Sequence, residues 1–128
     1  MRNTKNMSSD PRPQLEKKAL LDSLIKDHEL WTKQLNTAID KVDYKIKIEL
    51  DHRKCPLGKW CSTYEPQDKE KTLFSKIENP HKQIHSTGIK ILQELSLGNK
   101  GKARNMFDKD VNNYMSQIKN IFEELKTL

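Results

Sequence analysis

Three short stretches of this chain carry most of the side chains able to do chemistry. The first is His28-Glu29-Leu30-Trp31, the second Cys55-Pro56-Leu57-Gly58-Lys59-Trp60, the third His81-Lys82-Gln83-Ile84-His85. Together they hold three imidazoles, one thiol and both tryptophans of the chain. Three His and one Cys suffice for a closed, four-coordinate zinc site. Mixed imidazole and thiolate donors suit zinc better than calcium or magnesium, which prefer oxygen. Four protein ligands leave no open position for water, which argues against hydrolysis and against an enzyme.

Each donor has a plainer reading beside this one. His28 lies on an apolar helical stripe, where a core histidine satisfied by a carbonyl or a water would also fit. His81 and His85, at i and i+4, project from one helix face and can share a metal. Two buried imidazoles side by side with no shared partner would make a poor core. His52-x2-Cys55 also has ligand-like spacing, but His52 sits in the charged run Asp51-His52-Arg53-Lys54 and reads as exposed. Cys61 reads as a small packing residue, with a lesser role as a resolving thiol should Cys55 be oxidised.

Long helices are needed to bring these stretches together. Leu21, Leu24, His28, Trp31, Leu35, Ala38, Val42 and Ile46 follow 3-4 spacing and predict one helix from Gln14 to about Leu50. Pro56 suits a first helical position, so a short helix is expected to about Tyr64 with Cys55 as its N-cap. There the free amides and the positive helix end would favour thiolate, the form that binds zinc. Trp31, Leu57, Gly58 and Trp60 are expected to pack around the site. A third helix is predicted from about Asp68 to Leu97, kinked or split at Asn79 by Pro80. Leu97-Gly98-Asn99-Lys100-Gly101 reads as a stop and turn. A last helix is expected from Lys102 to about Lys126; its stripe, with Val111, Ile118 and Phe122, reads as core, and nothing on it looks like a metal ligand.

The sum is an all-α chain: an antiparallel four-helix bundle with an additional short helix carrying the Cys ligand. Composition agrees. Of 128 residues, 34% are hydrophobic and 33% charged, which suits helices with one narrow buried stripe each. Residues 1–13 are polar with two prolines and read as a disordered tail, leaving 14–128 as the domain. The net charge of +6 is spread along the chain without an aromatic-rich strand, so nucleic acid is disfavoured as a partner. Neither an apolar leader nor a membrane-length apolar run is present, and two cysteines make no disulfide scaffold. A soluble, reducing compartment is the default expectation.

His-x2-Trp, then Cys-x-Leu-Gly-x-Trp, then His-x3-His, in this order and at these separations, resembles the chemoreceptor zinc-binding (CZB) domain. The likeness runs from roughly Leu20 to Leu125. It places zinc ligands on His28, Cys55, His81 and His85, the same four chosen from the residues. It further implies a bacterial, cytoplasmic, often dimeric regulator of chemotaxis or cyclic-di-GMP signalling. In such domains zinc occupancy, or oxidation of the zinc-bound Cys by hypochlorous acid, alters the conformation, and Cys55 would be the redox-sensitive residue. Met1 and the terminal Thr127-Leu128 fit a complete gene product, in which regulation would act in trans on a protein partner; an excised domain would act in cis. Whether the chain forms a homodimer stays open. A rival reading is a metal-free basic helical module that binds an acidic protein or nucleic acid. Another is a catalytic zinc site with one ligand replaced by water.

Overall fold

The computed structural model of the chain describes residues 12–128. The expected tail lies outside the described residues as far as Pro11, while Arg12 and Pro13 are already helical. The described residues are all-helical, with no strand among them.

Helix α1 spans Arg12–Lys41 and buries Leu21, Leu24, His28, Trp31, Leu35, Ala38 and Ile39. This is the stripe that 3.6-residue periodicity requires, and neither Gly nor an internal Pro interrupts it. The helix stops well short of the expected Leu50. Asp43 N–H donates to the Ala38 carbonyl at 2.8 Å, and Val42 N–H to that of Ile39 at 3.2 Å. This pair of bonds is a Schellman ending, with Val42 at the left-handed position (φ 52°) where glycine is usual. The segment after it cannot be a helix facing one core. Lys45-Ile46-Lys47-Ile48-Glu49-Leu50 alternates with period two, and Ile46, Ile48 and Leu50 are the half-buried members, packed on the core as an extended strap.

Helix α2, Pro56–Thr63, starts at Pro56 with Cys55 as N-cap. A 3-10 turn at Asp68–Glu70 leads into the short α3, Lys71–Ser75. Helix α4, Glu78–Ser96, carries His81, Ile84, His85, Gly88, Ile91, Leu92 and Leu95 on its buried face. The expected single helix over 68–97 is therefore broken, at Lys76–Ile77 and not at Asn79. The Pro80 ring conflicts with the carbonyl four residues earlier, which belongs to Lys76, and Pro80 itself sits in the first turn of α4, where no N–H is needed.

Gly98 (φ 83°) ends α4 with the same pair of bonds, Asn99 N–H to Glu94 and Gly98 N–H to Leu95. The last helical stretch begins with α5, Lys100–Met106. It widens into a π turn at Phe107–Val111 and continues as α6, Asn112–Thr127. It meets α1 along its length. Gln14 Nε2 donates to the Lys126 carbonyl at 3.0 Å, Lys119 pairs with Glu29 at 2.6 Å, and Arg104 holds Asn36 and Asp40. Lys126 also pairs with Asp22. Between them lies a core of aliphatics and Phe122, with Leu21, Leu35, Ile39, Ile84, Ile91 and Ile118 almost fully buried.

Candidate metal centre

The four donors come from three elements. α1 supplies His28, the N-cap of α2 supplies Cys55, and successive turns of α4 supply His81 and His85. All four are buried, each 4% exposed or less. One donor atom from each lies within 4.8 Å of the others. His28 Nε2 faces His85 Nε2 at 3.3 Å, and Cys55 Sγ faces His81 Nε2 at 3.2 Å. The rings of His81 and His85 stand at right angles, with centroids 4.9 Å apart.

These distances can be set against a tetrahedral ion. With zinc bonds of about 2.0 Å to nitrogen and about 2.3 Å to sulfur, neighbouring ligand atoms stand about 3.3–3.6 Å apart. The two shortest separations already lie within a few tenths of an ångström of that range. The widest, at up to 4.8 Å, need to close by about 1.2–1.5 Å at most. The residues present therefore fit a four-coordinate zinc ion.

Electrostatics points the same way. Burial lowers the pKa of all three imidazoles below the ordinary 6.5: His28 to about 3, His81 to about 2 and His85 to about 4. Burial is the largest cause in each, and a neighbouring imidazole adds to it. The rings are thus neutral at pH 7 and keep a lone pair for a metal. Nδ1 of His28 and of His85 is buried without a hydrogen-bond partner. These are the ring nitrogens turned away from the facing Nε2 atoms, so they reflect how deeply the two rings are buried and not a gap between the donors.

Cys55 departs from expectation. Its thiol pKa is raised, because burial outweighs the pull of the Gly58 and Leu57 amides. Gly58 N–H does donate to Sγ at 3.4 Å, so the helix end acts in the foreseen direction but is overruled. A metal cation is what would convert this thiol to thiolate.

Local structure explains the geometry of the middle stretch. A Cβ on Gly58 would stand 1.8 Å from the His52 carbonyl oxygen, so only glycine lets the loop before Cys55 cross α2 there. A Cβ on Gly88 of α4 would meet the Trp31 ring at 2.8 Å. The Trp31 ring lies against that of His85, centroids 4.6 Å apart and planes tilted by 39°, and its indole N–H donates to the Glu49 carbonyl at 2.8 Å. The strap is thereby tied over the imidazoles. Leu57 is buried at the start of α2. Trp60 is gathered elsewhere, with Tyr64, Phe74 and Phe122 at 4.7–5.7 Å. His52 lies outside the four, bonded to Glu78 at 2.9 Å. Cys61 is half-buried, its thiol pushed up to about 12 mainly by burial. The strap carbonyl at Glu49 was missed in the sequence; the period-two run around it was the available signal.

Among the described residues, no helix is long and apolar enough to cross a membrane. Neither the curated proteins nor the solved structures contain a match to the chain. The chemoreceptor zinc-binding domain matches residues 28–92, a span that opens at His28 and encloses Cys55, His81 and His85. The spacing, the cluster and this match agree: the chain belongs to the chemoreceptor zinc-binding domain family, whose members are zinc-binding sensory domains.

Proposed function

We propose that His28, Cys55, His81 and His85 hold one zinc ion and that the chain is a non-enzymatic sensor governing a signalling partner, in bacterial chemotaxis or cyclic-di-GMP control. The observation that carries this reading is the convergence of four buried N and S donors, two pairs of them at 3.2–3.3 Å. We read the helices as an antiparallel four-helix bundle, on the strength of the pairs that link Gln14 to Lys126 and Asp40 to Arg104. A reducing cytoplasm suits the free thiols.

When bound, the ion keeps the Cys55 sulfur as thiolate and cross-links three elements. The chain's own part is to exclude water through Trp31, Leu57 and the strap, and to hold the rings neutral. Cys55 is the labile ligand. Two electrons pass from its sulfur to hypochlorous acid, leaving a sulfenic acid and chloride. A sulfenic acid is a poor ligand, so α2 is freed at its N-terminus while α1, α4 and α6 stay packed.

The test is metal content by mass spectrometry on protein purified without added metal. About one zinc per chain is expected, with loss or weakening in Cys55→Ser and His81→Ala. Cys55→Ser should also lose the response to hypochlorous acid. A parent protein that takes up no zinc even on reconstitution overturns the reading.

A further inference from the structure

His52 and Glu78 extend the two rows of donors outward by one step each. His52 precedes Cys55 by three residues, and Glu78 precedes His81 by three on the same face of α4. The loop crossing over Gly58 brings the two together, and His52 Nε2 meets Glu78 Oε1 at 2.9 Å. The His52 ring stands 5.8 Å from that of His81 and 6.4 Å from that of His85, centroid to centroid. It therefore lies one layer above the four donors. Exposure grades in the same order: at most 4% for the four, 17% for the His52 side chain, 64% for that of Glu78. Both residues line an open groove of about 740 Å³ whose floor includes His85. A smaller opening of about 280 Å³ on the His28 and Cys55 side offers Asp27 and Glu49 but no imidazole beyond His28 itself.

We propose that His52 and Glu78 form an entry site for zinc, through which the ion is loaded into the buried four-donor centre and withdrawn from it. The proposal rests on the zinc reading above. A hydrated ion cannot meet four buried ligands at once, so its waters must be replaced in steps. An imidazole and a carboxylate at the mouth are two donor types that zinc accepts, and zinc tolerates a fifth ligand in passing. His52 and Glu78 can hold the ion by exchanging their mutual hydrogen bond for bonds to it. The next donor down the groove is then His85. Release runs by the same steps reversed, so a sensor's response time would be fixed here and its affinity by the four buried donors.

The experiment follows zinc uptake and chelator-driven release by stopped flow in the parent, His52→Gln, Glu78→Gln and Lys82→Gln, the last being a control in the same groove. Only the His52 side chain is changed; the backbone carbonyl that touches Gly58 remains. Circular dichroism checks that each variant is folded. An entry site predicts that uptake and release both slow about tenfold in His52→Gln and Glu78→Gln, with the dissociation constant unchanged, and that Lys82→Gln matches the parent. Unchanged rates overturn the proposal. So does faster release with weaker binding, the mark of an outer partner that orients a ligand, which costs about 10–100-fold in affinity. An equal effect of Lys82→Gln also overturns it, since general electrostatics would then suffice. A parent that binds no zinc at all removes the zinc reading instead, a result distinct from all of these.

Discussion

Two buried polar clusters sit at opposite ends of the short helix α2, and they are solved in opposite ways. At its start, Cys55 meets three imidazoles whose charged forms are suppressed and two of whose ring nitrogens lack partners. At its end, Glu70 is almost fully buried yet answered from every side. Lys17 Nζ reaches it at 2.7 Å, Tyr64 O–H donates at 2.7 Å and Gln67 N–H at 2.9 Å. Glu70 keeps its carboxyl pKa lowered despite burial, because Lys17 and Tyr64 hold the charge. The second cluster is complete within the chain; the first gathers four N and S donor atoms that face one another, the arrangement that the proposed ion would complete. A buried polar group without its partner costs about 1–3 kcal/mol, and an ion shared by the four facing donors would offset part of the cost of gathering them. The difference separates a structural network from a sensing one.

The largest expected effect breaks the comparison by removing the ion. With free zinc a thousandfold above its dissociation constant, binding stabilises the fold by about 4 kcal/mol. Chelation should lower the unfolding midpoint in denaturant accordingly, and an identical midpoint with and without chelator would refute the contrast. Acid should act next, on the metal-free protein. The imidazoles titrate at 6.5 unfolded but at about 3, about 2 and about 4 when folded. Below about pH 6.5 the unfolded chain binds more protons, so stability falls as pH drops. The slope is about 1.4 kcal/mol per pH unit for each such histidine, flattening only as the folded rings titrate. Denaturant midpoints of the metal-free protein between about pH 7.5 and pH 6 would show it; a flat profile would mean that the rings are not buried as described. The smallest effect sharpens the comparison from the other end. Glu70→Ala strands Tyr64 and Lys17 and should cost about 1–3 kcal/mol, with zinc stoichiometry untouched. Loss of zinc in that variant would show that the two ends of α2 are not independent.

Much of this architecture is legible in the order of residues, and the two helix endings show where legibility stops. Gly98 announces the end of α4, because glycine alone enters the left-handed conformation freely. Val42 takes the same conformation at the end of α1, and nothing about valine advertises it. The period-two run from Lys45 to Leu50 was a signal, but the 3-4 spacing of Val42 and Ile46 concealed it. Trp60 was expected beside the metal and is instead found with Tyr64, Phe74 and Phe122. Five residues on from the N-cap, it stands more than a turn further along α2 and on a different side of the helix from Cys55.

The helical class, the donor types, the start of α2 at Pro56 and the family all follow from the order of residues alone. They depend on local rules: periodic stripes, capping residues and the fixed projection of side chains at i and i+4. That the donors meet was settled by the folded chain. Cys55 reaches His81 across 26 residues, and His28 reaches His85 across 57. Folding also decided the direction in which the Cys55 pKa moves, upward, since desolvation depends on everything packed around a group, whereas the pull of a helix end comes from its own first turn. Contacts far apart in the chain are fixed by packing, and no local spacing encodes how tightly the packing closes.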